Sequence, residues 1–306
     1  MNTKNMKFVV TGGAGFIGSR IVKSLLRDKN SVMVIDNLHT GRMQNLQDII
    51  EEIEFVKADI RNYEDMEKII TDFDGIFHEA ALTLVQESFT KQNEYNDVNV
   101  VGTENIFKIA QEKNIKVVFA SSSSVYGNVT KIPIKESFPK NPINPYGITK
   151  LEDEKIAERY SKMNLEVIGL RYFNVYGIGQ TGSYAGVITK FVNRLKEIMP
   201  PQINGDGKQI RDFIFVDDVA EANIAAMKSE IKEGFFNIGT GIGTTIKDLA
   251  EILIKISGEN FKPVYSNALE GDIKLSQADM TLTEKVLKWK FQMSLINGLK
   301  KTFPEF

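Results

Sequence analysis

The chain contains no cysteine, which excludes disulfides and thiolate metal sites and fits a reducing, cytoplasmic compartment. Histidine is nearly as scarce, with only His39 and His78. Two imidazoles do not make a His-based metal centre, so no metal is expected. No run approaches the ~18 apolar residues that cross a bilayer, and the start "MNTKNMKFVV" holds no stretch of signal-peptide length. A membrane partner is therefore not expected. Charge of either sign is not in excess: 38 Lys and Arg against 40 Asp and Glu leave a net charge of -2. Without a basic field, nucleic acid is not an expected partner. Repeats and low-complexity segments are also lacking.

What is present is an ordinary globular composition, 42% hydrophobic and 25% charged over 306 residues. That length is ample for a sizeable core and suits two domains, or one large domain with an appended part. Short apolar runs alternate with stretches of helical spacing. "MKFVVTG", "SVMVIDN", "EFVKADI", "FDGIFHEAA" and "KVVFASS" read as strands, and "GSRIVKSLLRDKN", "YEDMEKIITD" and "GTENIFKIAQEKN" as helices. Such alternation predicts an α/β fold, a doubly wound parallel sheet with helices on both faces. "LEVIGLRYFNVYG" reads as a sixth strand running into a loop.

After Gly177 the pattern changes to a Gly-rich loop, "GIGQTGSYAG", and then a helix, "VITKFVNRLKEIM", stopped by Pro200 and Pro201. "QIRDFIFVDDVAEANIAAM" reads as strand then helix with Asp218 as its N-cap; "FFNIGTG" and "TIKDLAEILIKISG" repeat the pairing. A nucleotide-binding domain over 1–170 is expected, followed by a smaller α/β part over 171–306 whose segments interleave with the first.

Two motifs carry chemistry. In "VVTGGAGFIGSR", Gly13, Gly15 and Gly18 fit G-x-G-x-x-G, while Gly12, Gly15 and Gly18 fit G-x-x-G-x-x-G. Glycine there allows a tight turn and lets backbone N–H groups approach a pyrophosphate at a helix N-terminus. Asp36 ends the next strand, where a carboxylate accepts ribose hydroxyls and repels a 2′-phosphate. Its neighbours Asn37 and Leu38 are not basic, so NAD is favoured over NADP, with Arg42 leaving the second open. In "NPYGITK", Pro145 suits the first turn of a helix, and Tyr146 and Lys150 stand at i and i+4 on one face. A free phenol ionises near 10, too high for a neutral-pH base, but a nearby ammonium favours the phenolate.

Together these residues resemble the extended short-chain dehydrogenase/reductase family, in its NAD-dependent nucleotide-sugar epimerase and dehydratase branch, nearest to the UDP-hexose 4-epimerases. The likeness runs through "TGGAGFIG", "DNLHTG", "ADIRN", "HEAA", "NVVGT", "SSSSVYG", "PYGITK", "RYFNVYG", "GDGKQIRDFIFVDDVA", "FNIGTG" and "EGDIKLSQAD", nearly the whole chain. It implies a Rossmann domain holding NAD and a C-terminal domain closing over a nucleotide-diphosphate sugar. By that resemblance Gly12, Gly15, Phe16, Ile17 and Gly18 would cradle the cofactor with Asp36 and Asn37. Asp59 and Ile60 would flank the adenine, and Ala80, Ala81, Leu82, Asn99 and Phe173 would line the cofactor. Tyr146 would be the base and Lys150 the anchor of the nicotinamide ribose. Ser122 would be the active-site hydroxyl bridging the sugar O4 and Tyr146. Asn174, Arg211, Asp272 and Ser276 would contact the sugar nucleotide, and a homodimer through two helices per subunit is implied. Ser121, by contrast, reads as a strand-end hydroxyl satisfying backbone groups.

The same resemblance points to a reaction. Dehydratase and decarboxylase relatives carry an acid in the two positions before "VYG"; this chain has Ser123 and Ser124. C4 epimerisation through a transient 4-keto sugar is therefore expected, with a nucleotide-sugar 4-reductase, dehydrogenase or 4,6-dehydratase as alternatives. Ser276 stands at a gate position that is a bulky Tyr in glucose/galactose-restricted epimerases, so an N-acetylated UDP-hexose, alone or beside UDP-glucose, is the expected substrate. Leu269 departs from the pattern, since relatives commonly carry Arg there to hold the diphosphate.

Overall fold

Phe8, Val9 and Val10 are all fully buried, a continuous apolar run that only a strand covered on both faces can hide. The computed structural model describes residues 5–180, 186–269 and 271–305. Residues 181–185 of the Gly-rich loop and Glu270 of "EGD" lie outside the described residues. Six strands come first: β1 (Lys7–Thr11), β2 (Ser31–Ile35), β3 (Glu54–Val56), β4 (Gly75–His78), β5 (Lys116–Ser122) and β6 (Val167–Tyr172). The rest are β7 (Asn174–Tyr176), β8 (Gln202–Asn204), β9 (Ile210–Phe215), β10 (Glu233–Ile238), β11 (Gly243–Thr245) and β12 (Val264–Ser266).

The main sheet runs β10-β6-β5-β4-β1-β2-β3, parallel throughout. Its order reverses between β1 and β4, so a crevice opens at the carboxyl ends of these two strands. Register brings particular residues to that rim: Thr11 pairs with His78, and Ser122 with Tyr172.

Side chains alternate between the faces. Phe8 and Val10 face one core, shared with Ile21, Val22 and Leu25 of α1 (Gly18–Arg27) and with Val219 and Ala222. Val9 faces the other, shared with Met66 of α2 (Tyr63–Ile69). Two single helical turns follow, α3 (Val85–Ser88) and α4 (Gln92–Tyr95). The second core then takes Ile106 and Phe107 of α5 (Gly102–Lys113) and Ile156 and Tyr160 of α6 (Pro145–Ser161). The C-terminal part packs α7 (Val187–Lys196) and α9 (Ile246–Ser257) around Phe213, Phe215 and Leu299. Between them in sequence, α8 (Val216–Lys228) returns to pack on α1, and β10 joins the main sheet. α10 (Thr281–Leu287) and α11 (Leu295–Thr302) complete the chain.

Two local expectations are corrected, and a third holds with an addition, since a helix does open at Gly102 as α5. The helix expected to open at Gly102 is preceded by α4 and by a π-helical segment over Asn96–Val101, whose β-branched "VNVV" hides the helical period. α8 begins at Val216 with Phe215 at the N-cap, so Asp218 sits inside the first turn. Its carboxylate accepts the backbone N–H groups of Gln292 and Met293 at 2.9 Å each, tying in the C-terminal segment. Finally, α7 ends at Lys196, before the prolines, where Ile198 takes a left-handed φ of 55°.

Candidate active site

The glycine loop between β1 and α1 distinguishes the two possible fingerprints. Gly12 has φ +67°, and a Cβ there would stand 2.7 Å from Ala80 N; a Cβ on Gly18 would stand 2.3 Å from Gly12 O. Gly13 instead backs onto the Val34 side chain and does not line the cleft. The working set is thus Gly12, Gly15 and Gly18. α1 has no side-chain cap and no acid in its first turn, so its positive end is left for an anion in the cleft.

The cleft is about 1210 Å³, beyond the ~300–1,000 Å³ usual for one small ligand. It is lined by Gly12, Gly15, Phe16, Ile17 and Gly18, then by Asp36, Asn37, Asp59, Ile60, Ala80, Ala81 and Leu82. Asp36 directly follows β2; its carboxylate accepts Ala14 N at 3.0 Å and Leu38 N at 2.8 Å, and burial pushes it up. Asp59 is chelated by Arg61 at 2.9 and 2.7 Å and accepts Asn37 Nδ2 at 3.0 Å. The Arg61 hydrogen bonds hold its carboxyl well below the usual range. Asn99 is the exception among the expected cofactor residues. It is fully buried behind the wall, where its amide brackets Leu82 through N and O and reaches Thr149.

Elsewhere along the cleft, Ser122, Tyr146, Lys150, Phe173, Asn174, Arg211, Asp272 and Ser276 come together from five separate segments. Asn144 caps α6 by accepting Gly147 N at 2.8 Å, a cap worth ~1 kcal/mol, and Pro145 follows in the first turn. That start aims Tyr146 and Lys150 along one stripe of the helix toward the cleft. The Tyr146 phenol faces the Ser122 hydroxyl and the Lys150 ammonium in the cleft wall. Burial pushes that phenol up, while Lys150 and Ser122 pull it back. Lys150 is fully buried and donates to Asp153 Oδ2 at 2.9 Å. Burial alone would push its ammonium down, but Asp153 and the phenol opposite carry it up.

Ser121 does not do what was expected of a strand-end hydroxyl. It donates to Glu154 Oε1 at 2.6 Å, inside a fully buried frame. Glu154 takes the Arg171 fork at 2.7 and 2.8 Å, and Arg171 also donates to the Tyr126 hydroxyl, which donates to Asn237. It is Ser122 that caps the following turn, accepting Ser124 N at 3.1 Å. The frame bolts "SSSSVYG" to α6, β6 and β10. Arg211 is buried and paired with Asp272, whereas Leu269 lines the cleft 44% exposed.

Among the lining residues left unassigned in the sequence, Glu79 and Tyr172 form a linked pair. Glu79, half-buried, receives the Tyr172 hydroxyl at 2.8 Å, and Tyr172 receives Asn223 Nδ2 at 2.7 Å. Burial pushes the Glu79 carboxyl up to about 8, against the opposing pull of Tyr172 and Lys150. The only signal was an acid ending an otherwise apolar run in "GIFHEAA". Among the described residues no group of His, Cys, Asp and Glu could hold a metal ion, and no helix is long and apolar enough to cross a membrane.

A model of the NAD dependent epimerase/dehydratase family matches residues 8–239. The chain is 35% identical over 306 residues to a UDP-glucose 4-epimerase of Lactobacillus helveticus, covering 93% of this chain and 92% of the relative. It is 37% identical to a solved UDP-N-acetylglucosamine 4-epimerase from Methanobrevibacter ruminantium in complex with UDP-N-acetylmuramic acid. That likeness has a TM-score of 0.94 over 99% of this chain and 98% of the other. A UDP-glucose 4-epimerase from Thermotoga maritima, solved with UDP-glucose, is 36% identical with a TM-score of 0.94 over 98% of both chains.

Proposed function

The chain belongs to the NAD dependent epimerase/dehydratase family, and from that premise we propose that it inverts C4 of a UDP-hexose. The substrate pair is UDP-N-acetylglucosamine and UDP-N-acetylgalactosamine, alone or beside UDP-glucose and UDP-galactose. The observation that carries the reading is one constellation at the cleft mouth. Tyr146 shares the cleft wall with Lys150 and the Ser122 hydroxyl, both of which favour its phenolate, and the two positions where a dehydratase would carry an acid are Ser123 and Ser124.

The cleft fits NAD. The uncapped α1 end and close-packed glycines suit the pyrophosphate, Asp36 the adenosine ribose, Asp59 and Ile60 the adenine, and Lys150 the nicotinamide ribose. When bound there, NAD supplies a hydride acceptor at C4 and returns the hydride, so no net redox change results. The chain's residues manage the proton and the sugar. The Tyr146 phenolate takes the O4 proton, relayed by Ser122, and gives it back when the carbonyl is reduced on its other face. Arg211, with Asn174, holds the diphosphate by a planar fork while the hexose turns about that tether. Asp272 keeps Arg211 in place before substrate arrives. Ser276, small and lining the cleft, leaves room for a 2-acetamido group. The reading includes a cytoplasmic homodimer; Val101 and Ile148, 43% and 55% exposed on packed helical segments, support such a face.

The test is incubation with UDP-glucose and UDP-N-acetylglucosamine without added NAD, reading C4 epimers by NMR. Epimers without a 340 nm change are expected. Turnover of neither sugar overturns the substrate class, and stoichiometric NADH release overturns the epimerase in favour of a net oxidoreductase.

A further inference from the structure

Tyr146, Lys150 and Asp153 stand at i, i+4 and i+7 of α6, one continuous stripe of that helix. The proposed function uses the first two and leaves Asp153 without a task. Yet Asp153 is fully buried, with its Oδ2 2.9 Å from Lys150 Nζ, and the two side chains are 0% and 3% exposed. Its Oδ1 is one of three buried side-chain atoms without a hydrogen-bond partner among the described residues. A carboxylate so placed has one evident partner, the ammonium beside it, because isolated buried charge is costly and paired charge is tolerated.

We propose that Asp153 is a positioning residue of the catalytic pair: it fixes the Lys150 ammonium from behind and cancels part of its field at the Tyr146 phenol. The proposal rests on Tyr146 being the base. The charges are few enough to count. Along α6 the phenol is faced by Lys150 and Asp153, from β5 by the Ser122 hydroxyl, and from the ends of β4 and β6 by Glu79 and the Tyr172 hydroxyl. Asp153 is itself flanked by Glu152 and Glu154, and Glu154 is neutralised by Arg171. Among the described residues Lys150 is thus the only cation facing the phenol, and Asp153, its carboxyl pushed up to about 7 by burial against the pull of Lys150, is the counter-ion bound directly to it. Burial already disfavours the phenolate. An ammonium with its own counter-ion relieves that cost less than a bare one, because opposite charges 2.9 Å apart act at a distance as a dipole. The helix therefore weakens its own base activation, and the stripe sets the acid limb of the reaction.

The experiment compares the purified holoenzyme with Asp153→Asn, which keeps shape and hydrogen bonding but removes charge, and with Glu152→Gln as an exposed control on the same helix. Two readouts are taken: the pH profile of kcat, and the phenolate absorbance near 295 nm with Tyr146→Phe as the blank. Asp153→Asn should move the acid limb and the phenol midpoint down by a pH unit or more, while Glu152→Gln moves neither. A merely structural role lowers the melting temperature and leaves the limb in place. A limb within 0.2 units of wild type, or one that moves up, overturns the proposal. If Asp153→Asn does not fold, Asp153→Ser replaces it. If neither folds, wild type decides: with the cofactor held as NADH, the phenol should ionise no lower than ~10, and a midpoint below ~8 overturns the counter-ion role. Failure of the UDP-sugar assay with a shifted phenol midpoint would sink the substrate reading alone.

Discussion

Acidification should expose the cost of one buried ring. His78 ends β4 with its imidazole fully buried, Nδ1 2.7 Å from Thr11 Oγ1 and Nε2 2.9 Å from Thr103 Oγ1. Either hydroxyl could accept from an imidazolium, so hydrogen bonding does not forbid the charge; burial does, helped by Lys150, and lowers the pKa from 6.5 to about 3. The folded-state value is depressed, so the stabilisation is complete above the unfolded value of 6.5 and fades as pH falls toward 3. At 1.36 kcal/mol per unit the whole term is ~5 kcal/mol, and ~2 kcal/mol of it is lost between pH 7 and pH 5. Wild-type stability alone will not display this, because Glu79, raised from 4.5 to about 8, gains over the same interval. The difference between wild type and His78→Gln isolates the ring. Urea unfolding followed by the lone Trp289, itself buried, should show the wild-type advantage shrinking by ~2 kcal/mol from pH 7 to pH 5. A difference constant to within ~0.5 kcal/mol would refute the reasoning.

Gly18→Ala drives a Cβ to 2.3 Å from Gly12 O and 2.8 Å from Gly13 Cα. The loop must shift, and the purified protein should retain at least tenfold less NAD, measured by releasing and quantifying the cofactor. Wild-type stoichiometry would show that the loop tolerates the change. Ser276→Tyr fills the cleft wall where Ser276 is 4% exposed. It should lower kcat/KM for UDP-N-acetylglucosamine at least tenfold more than for UDP-glucose; equal losses for both sugars would remove Ser276 from specificity.

The main sheet was legible because its strands are buried on both faces and bounded by turn residues, so periodicity and punctuation agreed. The glycine fingerprint and the Tyr146–Lys150 stripe were equally legible, since each is encoded by spacing within one element. Where spacing was blurred, the reading failed: "VNVV" hid a π-helical segment, and Asp218 looked like a cap because acids favour first turns and N-caps alike.

The sequence by itself determined the α/β architecture, the glycine loop and the Tyr146–Lys150 stripe, because all three are local patterns. Tertiary structure alone decided which of two glycine sets lines the cleft, and that Ser121 serves the Arg171–Glu154 frame rather than its own strand end. It alone decided that Glu79 meets Tyr172 across 93 residues of chain. It also buried Asp153 against Lys150 inside the charged stretch "LEDEK". Desolvation depends on what packs over a side chain, and that is a property of the whole fold, not of its neighbours in sequence.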